Sequence, residues 1–170
     1  MEERLRYILS SVNEWLKFAE AKNGALLAAN VGILFGAFRF VGGMTCTKAC
    51  IYSAIISVIV STVVALASFI PRLKMPSFTS KKRPTKETSL IFFGHIARYD
   101  PEDYVRALYS EAGVQEPTVT SIENDYSRQI ITNSQIALQK YRCFSVGLWL
   151  TVLALLLLLV PVLLSTVAMK

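Results

Sequence analysis

The stretch NGALLAANVGILFGAFRFV (residues 23–41), joined by GGMTCTKA (42–49) to CIYSAIISVIVSTVVALASFI (50–70), decides the fold. Each apolar run is about 20 residues, the length a helix needs to cross roughly 30 Å of hydrocarbon. A third run, residues 146–169, is nearly pure Leu, Val and Ala. The three together take more than a third of the 170 residues and make lipid the solvent of this chain. The expected fold class is therefore an all-α membrane protein with three transmembrane helices.

Composition agrees with that reading and narrows the function. A content of 53% hydrophobic residues with a mean hydropathy of +0.44 exceeds that of an ordinary soluble domain. The polar parts, residues 1–22 and 71–145, are too short for a conventional enzyme domain beside the membrane part. His95 is the single histidine, so two-His metal sites, His-Asp phosphohydrolase pairs and most nucleophile triads lack material. No Gly-rich phosphate loop of either common kind is present. The expectation is a non-enzyme without a cofactor. Cys46, Cys50 and Cys143 give no disulfide or metal framework. A cleaved signal peptide is not expected either. The first apolar run begins only after an amphipathic stretch holding Glu2, Glu3, Glu14 and Glu20, and it is too long for a signal core.

Positive charge sets the orientation. Arg4, Arg6, Lys17 and Lys22 precede the first span, and Arg72, Lys74, Lys81, Lys82, Arg83 and Lys86 follow the second. Lys140 and Arg142 come just before the third, whereas the hairpin carries only Lys48 and the tail only Lys170. The bias places the N-terminus and 71–145 in the cytoplasm, with 42–49 and the C-terminus external. The basic cluster reads as a topology signal facing anionic lipid rather than as a nucleic-acid site.

Within the polar parts, Leu5, Ile8, Val12, Trp15 or Leu16, and Ala19 repeat at helical spacing. This amphipathic helix is expected to continue straight into the first span, a rod of about 60 Å at 1.5 Å per residue. Lying flat on the membrane surface is the alternative. Residues 71–88 read as a linker, and SLIFFGHIA (89–97) as a strand or buried extended segment. His95 within it reads as a packing or hinge residue. Asp100-Pro101-Glu102-Asp103 is a helix start with a capping carboxylate, running to about Ala112 and stopping at Gly113. A second helix with candidate caps in 118–121 has no breaker before Ser145, so it feeds into the third span, where Pro161 is a candidate kink. The long N-terminal and pre-third-span helices would form a small cytoplasmic helical cap.

Several polar residues in these helices need partners. Gln129, Asn133, Ile136 and Lys140 fall in one stripe, and Lys22 and Asn30, eight residues apart, share a face of the first rod. An unsatisfied amide or cation at such positions costs several kcal/mol. Two readings stay open: a structural seam between the rods, fixing partner and register as a buried Asn does in a coiled coil, or the lining of a pore or ligand pocket. Arg39, near the outer end of the first span, either snorkels outward or rims a pore in an oligomer. Gly32 and Gly36 form a small-xxx-small pair that predicts close helix packing.

WLKFAEAKNGALLAAN (15–30), SLIFFGHIA (89–97) and QIITNSQIALQK (129–140) resemble, in the same order and with the same spans, segments of the Pycsar effector transmembrane family. The resemblance covers residues 5 to 160. It implies a multi-pass effector of the bacterial inner membrane in an anti-phage system. There a pyrimidine nucleotide cyclase makes cyclic CMP or cyclic UMP, and the effector impairs membrane integrity. The cyclase is then the functional partner; a homo-oligomer is expected as well, and the reading of the basic cluster as a topology signal leaves no nucleic-acid partner. For the phosphodiester, Lys140, Arg142, Lys22 and the basic cluster are the candidate contacts. A non-catalytic membrane scaffold or a holin-like pore subunit is the alternative.

Overall fold

The computed structural model describes residues 1–40, 48–70, 89–114 and 118–168, without the side chains of 39, 40, 162 and 164–168. The expected linker of 71–88, most of the hairpin and the Arg39 side chain lie outside the described residues. The chain is all-α among these: α1 (Glu2–Phe40), α2 (Lys48–Ala67), α3 (Phe93–Ile96), α4 (Pro101–Glu111) and α5 (Ser121–Ala168). Three helices, α1, α2 and α5, are long and apolar enough to cross a membrane. The chain is a multi-pass membrane protein with two compact units: Met1–Ala19 with Pro71–Lys140, and Glu20–Ile70 with Tyr141–Lys170.

The first unit is built from the start of α1, from α3 and α4, and from the start of α5. Leu5, Ile8, Val12 and Ala19 are buried on α1 as their spacing predicts. Trp15 stays partly exposed and instead sets its ring 5.7 Å from that of Phe93. Against the expectation of an extended segment, SLIFFGHIA makes a short helix. Ile96 N donates to Phe92 O and Ala97 N to Phe93 O, at 3.0 and 2.9 Å, so the backbone is satisfied locally without a neighbouring strand. The Ser89 hydroxyl starts that turn by accepting from Ile91 N and Phe92 N, a local competition that favours turns over strands. Gly94 permits the Phe92 ring to fold over it, since a Cβ there would lie 2.6 Å from that ring.

Helix ends follow the sequence closely. Pro101 occupies the first turn of α4, and Asp100 sits at the N-cap with extended backbone, but its carboxylate makes no capping bond. The expected capping carboxylate therefore acts through position and charge alone. At the other end Gly113 takes φ +78, Val114 N donates to Tyr109 O and Gly113 N to Ser110 O, a Schellman stop. Thr120 and Glu123 form a capping box at α5. Glu123 N donates to the Thr120 hydroxyl at 3.3 Å, while Thr120 N donates to the Glu123 carboxylate at 3.0 Å. The Tyr109 hydroxyl adds a bond to Glu123 from α4. Buried Tyr104 donates to Leu90 O at 2.8 Å, and burial pushes its phenol well up.

In the second unit the inner face of α2 is Ile51, Ala54, Ile55, Ser57, Val58, Ser61 and Ala65, a three-four repeat. Ala37, Ile51 and Ile55 cluster with Leu34 and Leu158, and Ala54, Val58 and Ala154 with Ile33, Leu34, Leu157 and Leu158. The opposite faces present Phe35, Phe38, Ile56, Val63, Trp149 and Leu156 outward, as lipid-facing surfaces do. Pro161 lies inside α5 and is buried.

Burial by itself disfavours charge on Glu123, yet the Thr120 amide, the Tyr109 hydroxyl and the Thr120 hydroxyl outweigh it and hold the carboxyl below its usual range. A carboxyl so lowered stabilises the fold above its unfolded pKa, and that contribution disappears as pH falls through the folded value. Glu123→Gln should therefore cost about 1 kcal/mol at neutral pH, and its gap from wild type should close on acidification. Thermal unfolding in detergent across the acid range checks this; a gap independent of pH would contradict it.

Candidate functional site

Apolar helices in lipid gain little from burying more apolar surface, so polar side chains facing inward dominate their pairing. Asn30 on α1, Ser61 on α2 and Thr151 on α5 are such residues, and the second unit brings all three together. Asn30 and Ser61 are fully buried and Thr151 is 5% exposed. Asn30 Nδ2 donates to Ser61 Oγ at 2.9 Å, Ser61 Oγ lies 2.9 Å from Thr151 Oγ1, and Thr151 Oγ1 donates to Asn30 Oδ1 at 2.8 Å. With the Ser61 proton on Thr151, each member gives one bond and receives one, and the ring closes on itself. The Gly147 carbonyl lies 2.8 Å from Ser61 Oγ and 3.0 Å from Thr151 Oγ1, an alternative acceptor for either hydroxyl. One turn away, Ser57 donates to Leu150 O at 2.9 Å.

Gly147 makes this approach feasible. A Cβ on it would lie 2.8 Å from Leu26 Cδ2 and 3.3 Å from Ser61 Oγ. The end of Leu26 can yield a little; the Ser61 oxygen cannot yield without leaving the ring. No member of the ring is titratable, so its chemistry is hydrogen bonding in a dry place and not proton transfer. Among the described residues no group of three His, Cys, Asp or Glu side chains is placed to hold a metal.

The other residues singled out from the sequence fall in different settings. Lys22 places Nζ 5.4 Å from the Tyr141 ring centre and 5.5 Å from that of Phe144, a cation–π contact. In the first unit Asn133 Nδ2 donates to Asn13 Oδ1 at 2.8 Å. Gln129 is exposed and Lys140 half-buried. The most deeply buried residues of α5 there are Ser127, Ile130, Ile131, Ser134 and Ala137, beside the stripe of Gln129, Asn133, Ile136 and Lys140, of which Asn133, Ile136 and Lys140 are half-buried. A Cβ on Gly32 or Gly36 meets nothing within 4 Å, so the close packing their spacing predicts is not made among the described residues. Cys50 and Cys143 are free thiols.

Asn13, Ser61, Gly147 and Thr151 are the residues that sequence reasoning passed over. A serine or threonine barely lowers the hydropathy of an apolar run and can satisfy itself on its own helix, as Thr62 does on Val58 O. The available signal was the four-residue spacing of Ser57 with Ser61 and of Gly147 with Thr151.

Comparison with known proteins places these residues in a family. The profile described as the Pycsar effector protein domain matches residues 4–167. The chain is similar to the Pycsar effector protein PtPycTM of Propioniciclava tarda, with 31% identity over 142 residues, 79% of this chain and 65% of that protein. This chain thus spans just under two thirds of the length of that relative. No solved structure matches.

The ring makes a coupled prediction. Asn30→Leu and Thr151→Val should each destabilise the protein by about 1 kcal/mol, within the range found for hydrogen bonds between membrane helices. The double variant should lose less than the sum of the two, as expected for members of one network. Gly147→Ala should destabilise as well, and its cost should be smaller in a Leu26→Ala background, where the 2.8 Å contact is cleared. Unfolding in bicelles measures all of these. Strict additivity would show that the ring does not act as a unit.

Proposed function

The chain belongs to the Pycsar effector family, and on that premise we propose that it is a membrane effector of a bacterial anti-phage system. It answers a cyclic pyrimidine nucleotide, cyclic CMP or cyclic UMP, made by a cyclase partner, and impairs the integrity of the inner membrane. The observation that carries this reading is the match across residues 4–167, which takes in all three candidate spans and the polar first unit together. In this reading the N-terminus and 71–145 face the cytoplasm, on the lysine and arginine bias, and the C-terminus is external.

The buried ring supports a gated mechanism. In the resting state Asn30, Ser61 and Thr151 satisfy one another and hold three helices shut. Parting those helices turns the same three groups toward a polar path, where water replaces their mutual bonds. The signal favours the open state only by its differential affinity for it. Lys140, Arg142 and Lys22 are the cations proposed to meet the phosphodiester, and Asn133, two helical turns before Lys140, is a further candidate. Gly32 and Gly36, open on α1, offer a close-packing face to a second copy, and Arg39 would stand at the external rim of the assembly.

The full chain reconstituted in liposomes holding a fluorescent dye tests the reading. Cyclic CMP or cyclic UMP should release dye, cyclic AMP should not, and Thr151→Val should leak without any nucleotide. Release that ignores nucleotide in the wild type would favour the holin-like alternative, and no release with either pyrimidine nucleotide would remove direct gating. Lys22→Ala and Asn133→Ala should abolish the response while leaving membrane insertion intact.

A further inference from the structure

The second unit, Glu20–Ile70 with Tyr141–Lys170, buries only uncharged polar side chains among its described residues: Asn23, Asn30, Ser57, Ser61, Ser68 and Thr151. Its charge lies elsewhere and is almost all of one sign. Residues 21–70 and 141–170 contain no Asp or Glu. The described charged side chains of the unit are Lys22, Lys48 and Arg142 against Glu20. Glu20 is exposed, and two positions before Lys22 it leaves α1 on a different side. Lys22 itself is half-buried, and its Nζ stands over the rings of Tyr141 and Phe144, on the seam between α1 and α5. Farther along the same seam Thr151 Oγ1 donates to Asn30 Oδ1. Asn30 is eight residues from Lys22, about 12 Å along α1 at 1.5 Å per residue. The ammonium therefore borders the route that leads to the ring when these helices part.

On the gated reading above, on which this depends, we propose that the path opened through the ring passes anions in preference to cations, and that Lys22 sets the preference. An ammonium between low-dielectric walls focuses its field into the opening and raises the local concentration of anions there. Lysine and arginine at a constriction are the chemistry of anion pores. Asn30, Ser61 and Thr151 are neutral and impose no opposing charge. A small anion such as chloride is then the favoured cargo, whereas a cation must first pass the like charge of Lys22.

The full chain carrying Thr151→Val tests this in planar bilayers of phosphatidylcholine, which adds no net lipid charge. That variant is expected to conduct without nucleotide, so the part assigned to Lys22 in meeting the phosphodiester does not enter. Potassium and chloride diffuse in water at nearly equal rates, so under a KCl gradient the sign of the reversal potential reports the preference. Chloride should pass several-fold more readily than potassium, and the preference should shrink in 1 M salt, where the Debye length falls to about 3 Å. Adding Lys22→Arg should keep the preference, Lys22→Gln should remove it, and Lys22→Glu should reverse it. A potassium preference in the Thr151→Val chain, or a chloride preference that survives Lys22→Glu, would overturn the proposal and leave the gated reading standing. Absence of any current, both in Thr151→Val and in the wild type with either pyrimidine nucleotide, would overturn the gated reading and the anion preference with it.

Discussion

In the second unit, the polar groups that three apolar helices bury must find their partners inside the protein. Water is absent from the hydrocarbon layer, so an amide or hydroxyl turned toward lipid forfeits several kcal/mol. Asn30, Ser61 and Thr151 meet that demand by closing a ring, one residue from each helix. The demand also fixes which faces meet. A rotation of α2 that moved Ser61 outward would take the acceptor from Asn30 Nδ2, whereas an apolar seam of Ala, Ile and Val would tolerate several registers. Gly147 belongs to the same logic, because a Cβ there would press on Leu26 at 2.8 Å and on the Ser61 oxygen at 3.3 Å.

The first unit obeys a different balance. Its buried apolar side chains come from four helical pieces, of which α3 and α4, with 4 and 11 residues, are too brief to be stable alone. Local devices supply what length does not: the Thr120–Glu123 box, the Schellman stop at Gly113, and the serine-capped turn that starts at Ser89. Cross-links between pieces add to these: Ser127 donates to Pro101 O in the first turn of α4, and Gln135 donates to Ala97 O, at the end of α3 where carbonyls are left open. The apolar surface left exposed at Trp15 and Phe92 is the exception.

Much of this was legible in the chain. The three spans, the amphipathic stripe from Leu5 to Ala19, the start at Pro101 and the stop at Gly113 follow from periodicity and backbone chemistry that need no distant partner. Asn30 stood out because an amide is rare and costly within an apolar run. The reading of SLIFFGHIA as extended did not survive, since a short apolar run has no period of its own and the Ser89 hydroxyl settles the matter locally. The stripe of Gln129, Asn133, Ile136 and Lys140 lies beside the most deeply buried one, and Asn133 within it bonds to Asn13 on α1.

By itself, then, the sequence determined the solvent, the number of apolar helices and most helix ends, because those depend on side-chain hydropathy and on bonds between residues a few positions apart. Only the tertiary structure decided that Ser61 and Thr151 complete what Asn30 begins, and that Gly147 rather than Gly32 or Gly36 is the site of close approach. Those choices depend on which faces of separate helices meet, and a hydroxyl or a glycine carries too weak a hydropathy signal to announce its face in advance.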